Sequence, residues 1–189
     1  MNHLTEIVID GRGVPTLADI LPEKGTLRAL FVGDAPSPAS LEVGHYFEGR
    51  AGKGLWMRLK EAEIFSAPPG GHADDALLGA GFGVTDLCKV PRPVGDEPGR
   101  DEYEVGWERV ADIAQRLRPR ILVFVYKGSL DKVLGYSFGW EHESEYGFND
   151  DLMRTFGRRV FAVPLPGAAC SAREARRHMA DLARSLDVE

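Results

Sequence analysis

Long apolar runs are missing from this chain of 189 residues. None approaches the roughly 18–20 residues of a membrane-spanning helix, so a spanning segment and a membrane partner are excluded. Cysteine is scarce: there are two, Cys88 and Cys170. A zinc or iron–sulfur site built from protein thiolates alone usually takes four, so that class of centre is excluded as well. The first residues, MNHLTEIVIDGRG, lack a basic segment followed by an apolar one, and no secretory signal is read there. The two thiols are therefore expected to be small, partly buried side chains in a reducing, cytoplasmic setting. Positive charge is also short. Lys and Arg total 23 against 29 Asp and Glu, a net charge of −6, which on its face disfavours a partner made of phosphates. Internal repeats and low-complexity tracts are absent.

What remains has the composition of a globular protein, 43% hydrophobic and 28% charged. Its length suits one domain, expected over residues 1–189. Segment 27–33, LRALFVG, is a continuous apolar run ending in Gly, as a buried parallel strand would be. Segments 120–126 (RILVFVY) and 159–164 (RVFAVP) repeat the pattern, and a weaker run surrounds Val84. Between them, helical spacing runs through 52–64 (Leu55, Trp56, Leu59, Ala62) and 102–117 (Val105, Val110, Ile113, Leu117). Ser171 and Glu174 have the spacing of a capping box that opens a helix to about Leu186, and Thr16 is read as the cap of a short helix ending near Pro22. Strands alternating with helices predict an α/β domain, a three-layer α/β/α sandwich around a mainly parallel four-stranded sheet.

In such sheets ligands bind at the carboxyl ends of strands, so the loops after the strands hold the candidate chemistry. The first, Gly33-Asp34-Ala35-Pro36-Ser37, turns tightly and sets Asp34 on the sheet rim; alternatively, Asp34 caps a turn. In His45-Tyr46-Phe47-Glu48-Gly49-Arg50-Ala51-Gly52, the aromatic pair offers a flat face to a planar ligand, unless Phe47 belongs to the core. A phosphate-binding P-loop is rejected there, because Gly52-Lys53 is followed by Gly54 rather than Ser or Thr. His45 is a candidate catalytic group or a solvated turn residue. In segment 81–93, GFGVTDLCKVPRP, Asp86 can hydrogen-bond a ligand edge while Lys89 and Arg92 meet phosphates. In Pro164-Leu-Pro-Gly167-Ala168-Ala-Cys-Ser171, backbone amides and the following helix N-terminus form a candidate anion site.

The order and spacing of these loops resemble the uracil-DNA glycosylase superfamily, from about Leu27 to Leu186. Gly-Asp-Ala-Pro-Ser is similar to the Gly-Glu-Ala-Pro-Gly motif of the thermophile-type enzymes. Residues 45–52 resemble their Pro-Phe-Val-Gly-x-Ala-Gly segment. Segment 81–93 is closer to the Gly-x-Gly-x-Thr-x-Leu-Val and Arg-Pro of the mismatch-specific uracil and thymine glycosylases. Pro164-Leu-Pro-Gly stands where relatives have Asn-Pro-Ser or His-Pro-Ser.

The resemblance implies hydrolysis of the N-glycosidic bond of a flipped deoxyuridine, the first step of base excision repair. By this resemblance Asp34 orients the attacking water or stabilises the sugar cation, amides near Ala35 receive the uracil carbonyl, and Phe47 stacks on the base. Asp86 stands where relatives carry an Asn that reads the base edge, or a Lys in one mismatch-specific group. Lys89, Arg92, Gly167, Ala168, Ser171 and Arg173 are the expected DNA contacts. The implied partner is DNA containing uracil or another deaminated base, with no metal, no nucleotide cofactor and a monomeric protein.

Two departures stand out. Leu165 replaces a hydrogen-bonding His or Asn. Asp86 in place of Asn, if ionised, only accepts hydrogen bonds. The first departure keeps open a non-cleaving module of the same fold that binds damaged or single-stranded DNA. A small-molecule hydrolase using Asp34 is a more distant reading, with no serine elbow to support it. The net charge does not oppose DNA, because between 154 and 184 there are seven arginines (154, 158, 159, 173, 176, 177, 184) against Glu174 and Asp181. The acidic excess sits at 96–104 and 141–151.

Overall fold

A computed structural model describes residues 2–92 and 96–187; Pro93, at the end of the third loop motif, lies outside them. The four expected strands form side by side: β3 (Ala29–Gly33), β4 (Phe82–Asp86), β5 (Ile121–Phe124) and β7 (Arg159–Ala162). Their order is β4-β3-β5-β7, all parallel. A fifth strand, β6 (Gly147–Phe148), joins the β7 edge antiparallel. Two residues carry too little pattern to be legible as a strand.

Strand alternation assigns the two core layers. Phe31, Val123 and Phe161 point to one face, where Leu55 and Leu59 of α2 (Arg50–Glu61) and Met179, Leu182 and Leu186 of α6 (Ala172–Asp187) cover them. Leu30, Val32, Leu122, Phe124, Val160 and Ala162 point to the other, against α3 (Arg100–Leu117) and α4 (Lys127–Phe138). The architecture is thus the expected α/β/α sandwich. Along α3 the core stripe includes Tyr103 and Trp107, whereas Val105, expected on it, is 66% exposed.

The chain start corrects another expectation. Thr16 caps no helix. It lies in β2 (Arg12–Leu17), which pairs antiparallel with β1 (Leu4–Ile9), and its buried hydroxyl donates to the Lys89 carbonyl at 2.6 Å. The chain then exchanges two backbone hydrogen bonds between Ile20 and Val84, both 3.0 Å, partnering the otherwise open β4 edge. Short helices α1 (Pro38–Val43), capped by Ser37, and α5 (Met153–Phe156) complete the frame.

Ser171 and Glu174 form the predicted capping box, with the Ser171 amide on Glu174 Oε2 at 2.8 Å and the Glu174 amide on Ser171 Oγ at 3.2 Å. No helix among the described residues is long and apolar enough to cross a membrane.

Candidate active site

Parallel register brings Gly33 opposite Asp86, so the loops after β3 and β4 leave the sheet at one level. A cleft of about 540 Å³ opens there. Its walls come from all four strand-end loops: Ala35 to Ser37, Asp86, Tyr126, and Pro166 with Gly167. The Tyr46–Phe47 loop and the first turn of α2 close it.

Phe47 is held tightly. It is 6% exposed, sits edge-on to Trp56 with ring centroids 5.6 Å apart, and has φ +60°. An aromatic residue in the left-handed region costs on the order of 1–3 kcal/mol, which the surroundings must offset. They do so by proximity: a Cβ on Gly52 would lie 2.5 Å from the Phe47 backbone, so only glycine lets α2 press against that loop. A Cβ on Gly33 would lie 2.0 Å from Asp86 Oδ1 and 3.0 Å from the Phe47 ring, so Gly33 lets all three meet.

Asp86 is 2% exposed, and its Oδ2 is sealed from solvent with no hydrogen-bond partner among the described residues. Burial pushes its carboxyl up to about 7; Lys89 and Arg109 oppose the rise, and Asp19 and Asp34 add to it. The nearby cations are engaged elsewhere. Asp19 takes Lys89 Nζ and the Thr85 hydroxyl on Oδ1, at 2.8 and 2.7 Å, and Arg109 on Oδ2 at 2.8 Å. Arg109 also donates to the Asp86 backbone carbonyl, not to its carboxyl. Lys89 donates in addition to the Tyr46 hydroxyl at 3.2 Å. Lys89, expected at a phosphate, is thus held within the protein behind the pocket wall.

Asp34 has a different setting. It lines a neighbouring cleft, about 420 Å³, that shares Ala35, Pro36, Ser37 and Tyr126 with the first. Its Oδ1 accepts from the Tyr103 hydroxyl at 2.7 Å and from the buried Ser129 hydroxyl at 2.8 Å. Its Oδ2 receives no hydrogen bond from the described residues. Arg92 lines this second cleft too, paired with Glu102 and, at 3.5 Å, with Asp96.

His45 is not brought to either cleft. Its Nδ1 lies 2.8 Å from Asp74 Oδ1, and its ring stacks on His72 with centroids 3.6 Å apart. Leu165 packs against the core, and the fourth loop offers the pocket only Pro166 and Gly167. Ala168 turns back on Leu165, its amide 3.0 Å from that carbonyl. Ser171 and Arg173 are exposed at the start of α6, where Glu174 takes the Ser171 amide that was expected to meet an anion. Tyr126, Tyr103, Ser129 and Asp19 were not singled out from sequence. Tyr126 ends the strongest apolar run and Ser129 follows it, so the rule of strand ends pointed to both.

The family model of the Uracil DNA glycosylase superfamily matches residues 22–186. The chain belongs to the uracil-DNA glycosylase superfamily. Membership supports a DNA glycosylase-type, hydrolytic activity in DNA repair, with DNA as the substrate. No curated protein matches the sequence. Among the described residues, Asp86 is the one carboxylate lining the cleft at the strand ends, which it shares with Arg50, Tyr46 and Tyr126.

Proposed function

We propose that the protein flips uracil, or a related deaminated base, out of DNA and hydrolyses its N-glycosidic bond as a monofunctional glycosylase acting as a single domain. The observation that carries this reading is the unpartnered Asp86 carboxyl buried in an aromatic-walled cleft. An unsatisfied buried polar group costs about 1–3 kcal/mol, and a ligand that supplies its hydrogen bonds recovers that cost. The flipped base stacks on Phe47, which contributes about 1–3 kcal/mol and helps offset the few kcal/mol of unstacking.

The protonation state of Asp86 sets what it reads. With its proton the carboxyl has one donor and one acceptor, the pattern of the Asn in relatives, and it matches the N3–H and O4 edge of uracil. Ionised, it accepts only, and suits a base edge that presents donors. Asp34 holds the attacking water through Oδ2 while Tyr103 and Ser129 fix its other oxygen. The water oxygen bonds to C1′, its proton passes to Asp34 Oδ2, and the base leaves as an anion with the electron pair of the glycosidic bond. Arg92, Gly167 and Arg173 border the path of the backbone. His45 is left out of the chemistry because it reaches neither cleft, and Lys89 because its charge is spent on Asp19.

A second reading, a non-cleaving binder of damaged or single-stranded DNA, draws on the fourth loop, which gives the pocket no polar side chain. One assay separates them. Excess protein is incubated with single-stranded, U:A and U:G oligonucleotides, and abasic sites are then cleaved with alkali. Scission that disappears in Asp34→Asn is the expected result. Tight binding without scission on any deaminated base rejects excision and leaves the binder.

A further inference from the structure

Away from both clefts, His3, His45, Asp74 and Asp75 each present one ligand atom within 4.8 Å of all the others. His45 and Asp74 are buried, at 6% and 1% exposure. His3 Nε2 is also sealed from solvent and has no hydrogen-bond partner among the described residues. It points at the carboxylates from 3.7 Å (Asp74 Oδ2) and 3.8 Å (Asp75 Oδ1), too far for a hydrogen bond.

We propose that His3 Nε2, His45 Nδ1 and the carboxylates of Asp74 and Asp75 bind a single divalent transition-metal ion, with zinc as the best fit. Imidazole nitrogens with carboxylate oxygens form a donor set that suits zinc better than calcium or magnesium, which take oxygen. A tetrahedral shell with bonds of about 2.1 Å spaces its ligand atoms about 3.4 Å apart. The separations, 2.8 Å from His45 Nδ1 to Asp74 Oδ1, and 3.7 and 3.8 Å from His3 Nε2 to Asp74 Oδ2 and Asp75 Oδ1, lie on either side of that figure, and one atom from each residue lies within 4.8 Å of the others. Binding thus requires side-chain adjustment rather than a refolded backbone.

The surroundings already orient the ligands, as outer partners do in metal sites. The Tyr46 amide donates to Asp74 Oδ2 at 2.7 Å. His72 stacks on the His45 ring and bonds Glu48 through Nδ1 at 3.0 Å. The ion would tie the chain start to the loop bearing Tyr46 and Phe47, already joined by the His3 amide on the Gly44 carbonyl at 2.9 Å. Its role is to brace a wall of the base pocket. The inference does not depend on glycosylase activity.

The test uses the full chain, stripped with a chelator and titrated with zinc sulfate by calorimetry. One equivalent should bind with micromolar or tighter affinity, and the melting temperature should rise with zinc concentration. His3→Ala removes a ligand at the edge of the cluster and leaves the core intact, so it should fold and lose at least about tenfold in zinc affinity. His142→Ala, at an exposed histidine outside the cluster, should bind zinc as the parent does. Absence of stoichiometric binding overturns the proposal, as does equal affinity in the parent and in folded His3→Ala, which would mark adventitious binding only.

Discussion

Asp86 ends β4 and Asp34 directly follows the last residue of the neighbouring β3, one residue apart in register, and their environments are opposite. Asp34 is half-buried at the end of β3, and two hydroxyls, from Tyr103 and Ser129, are committed to one of its oxygens. Asp86 is buried at the end of β4 in the cleft wall, its Oδ2 has no hydrogen-bond partner among the described residues, and its cations are diverted to Asp19. A carboxylate supported by hydroxyl donors is suited to hold a water. A desolvated, unpaired carboxyl is suited to wait for a ligand edge. In the proposed function, two identical side chains on one sheet rim divide chemistry and recognition between them by environment.

The sharpest way to break this division is to neutralise its catalytic half. Asp34→Asn keeps the shape and a hydrogen-bonding oxygen but loses the charge. It should slow base release by about 10²–10⁴-fold under single-turnover conditions while DNA binding persists. A variant that retains full rate would remove Asp34 from the chemistry.

The recognition half predicts a stability effect of definite sign. The folded pKa of Asp86, about 7, lies above its unfolded value of about 3.9, so the fold prefers the protonated form. That contribution is complete below about pH 4, is lost between about 4 and 7, and leaves an ionised buried group above. Asp86→Asn should therefore be more stable than the parent at pH 8, by at most about 4 kcal/mol from a shift of about three units, with little difference at pH 4. Urea denaturation at the two pH values checks this. Such a gain marks a group retained for function at a cost in stability.

Smaller effects test the pocket wall and its rim. Phe47→Ala removes the stacking face and should weaken binding of DNA with a flipped base by about 1–3 kcal/mol, measured against undamaged DNA of the same sequence. Arg173→Ala, at an exposed position early in α6, should weaken all DNA evenly and lower the slope of log affinity against log salt by about one. If Arg173 faces away from the bound strand, the slope stays unchanged.

How much of this was legible beforehand follows from where the signals reside. The parallel strands and helices α2, α3 and α6 announce themselves locally, through continuous apolar runs, helical spacing and the Ser171–Glu174 cap. β1 and β2 do not, because their faces are mostly exposed and Thr16 is as good a helix cap as a strand residue. α4 carries two glycines and follows directly on the strand-end loop, which masks its period. The loops of the site were readable as a set, since each follows a strand. Their division of labour was not. It rests on Asp19, which meets Lys89 and Arg109 from 70 and 90 positions away. His45 shows the same limit: adjacent in sequence to the pocket loop, it is drawn off by Asp74 from 29 positions away.

The central claim is that the buried carboxyl of Asp86 meets the base. The direct measurement is single-turnover uracil release across pH 5.5 to 8.5, for the parent and for Asp86→Asn, on the same U:G duplex, roughly spanning the Asp86 transition. Uracil release by the parent should fall as pH rises through about 7, and this limb should disappear in Asp86→Asn. Coincident pH profiles for the two proteins would contradict it.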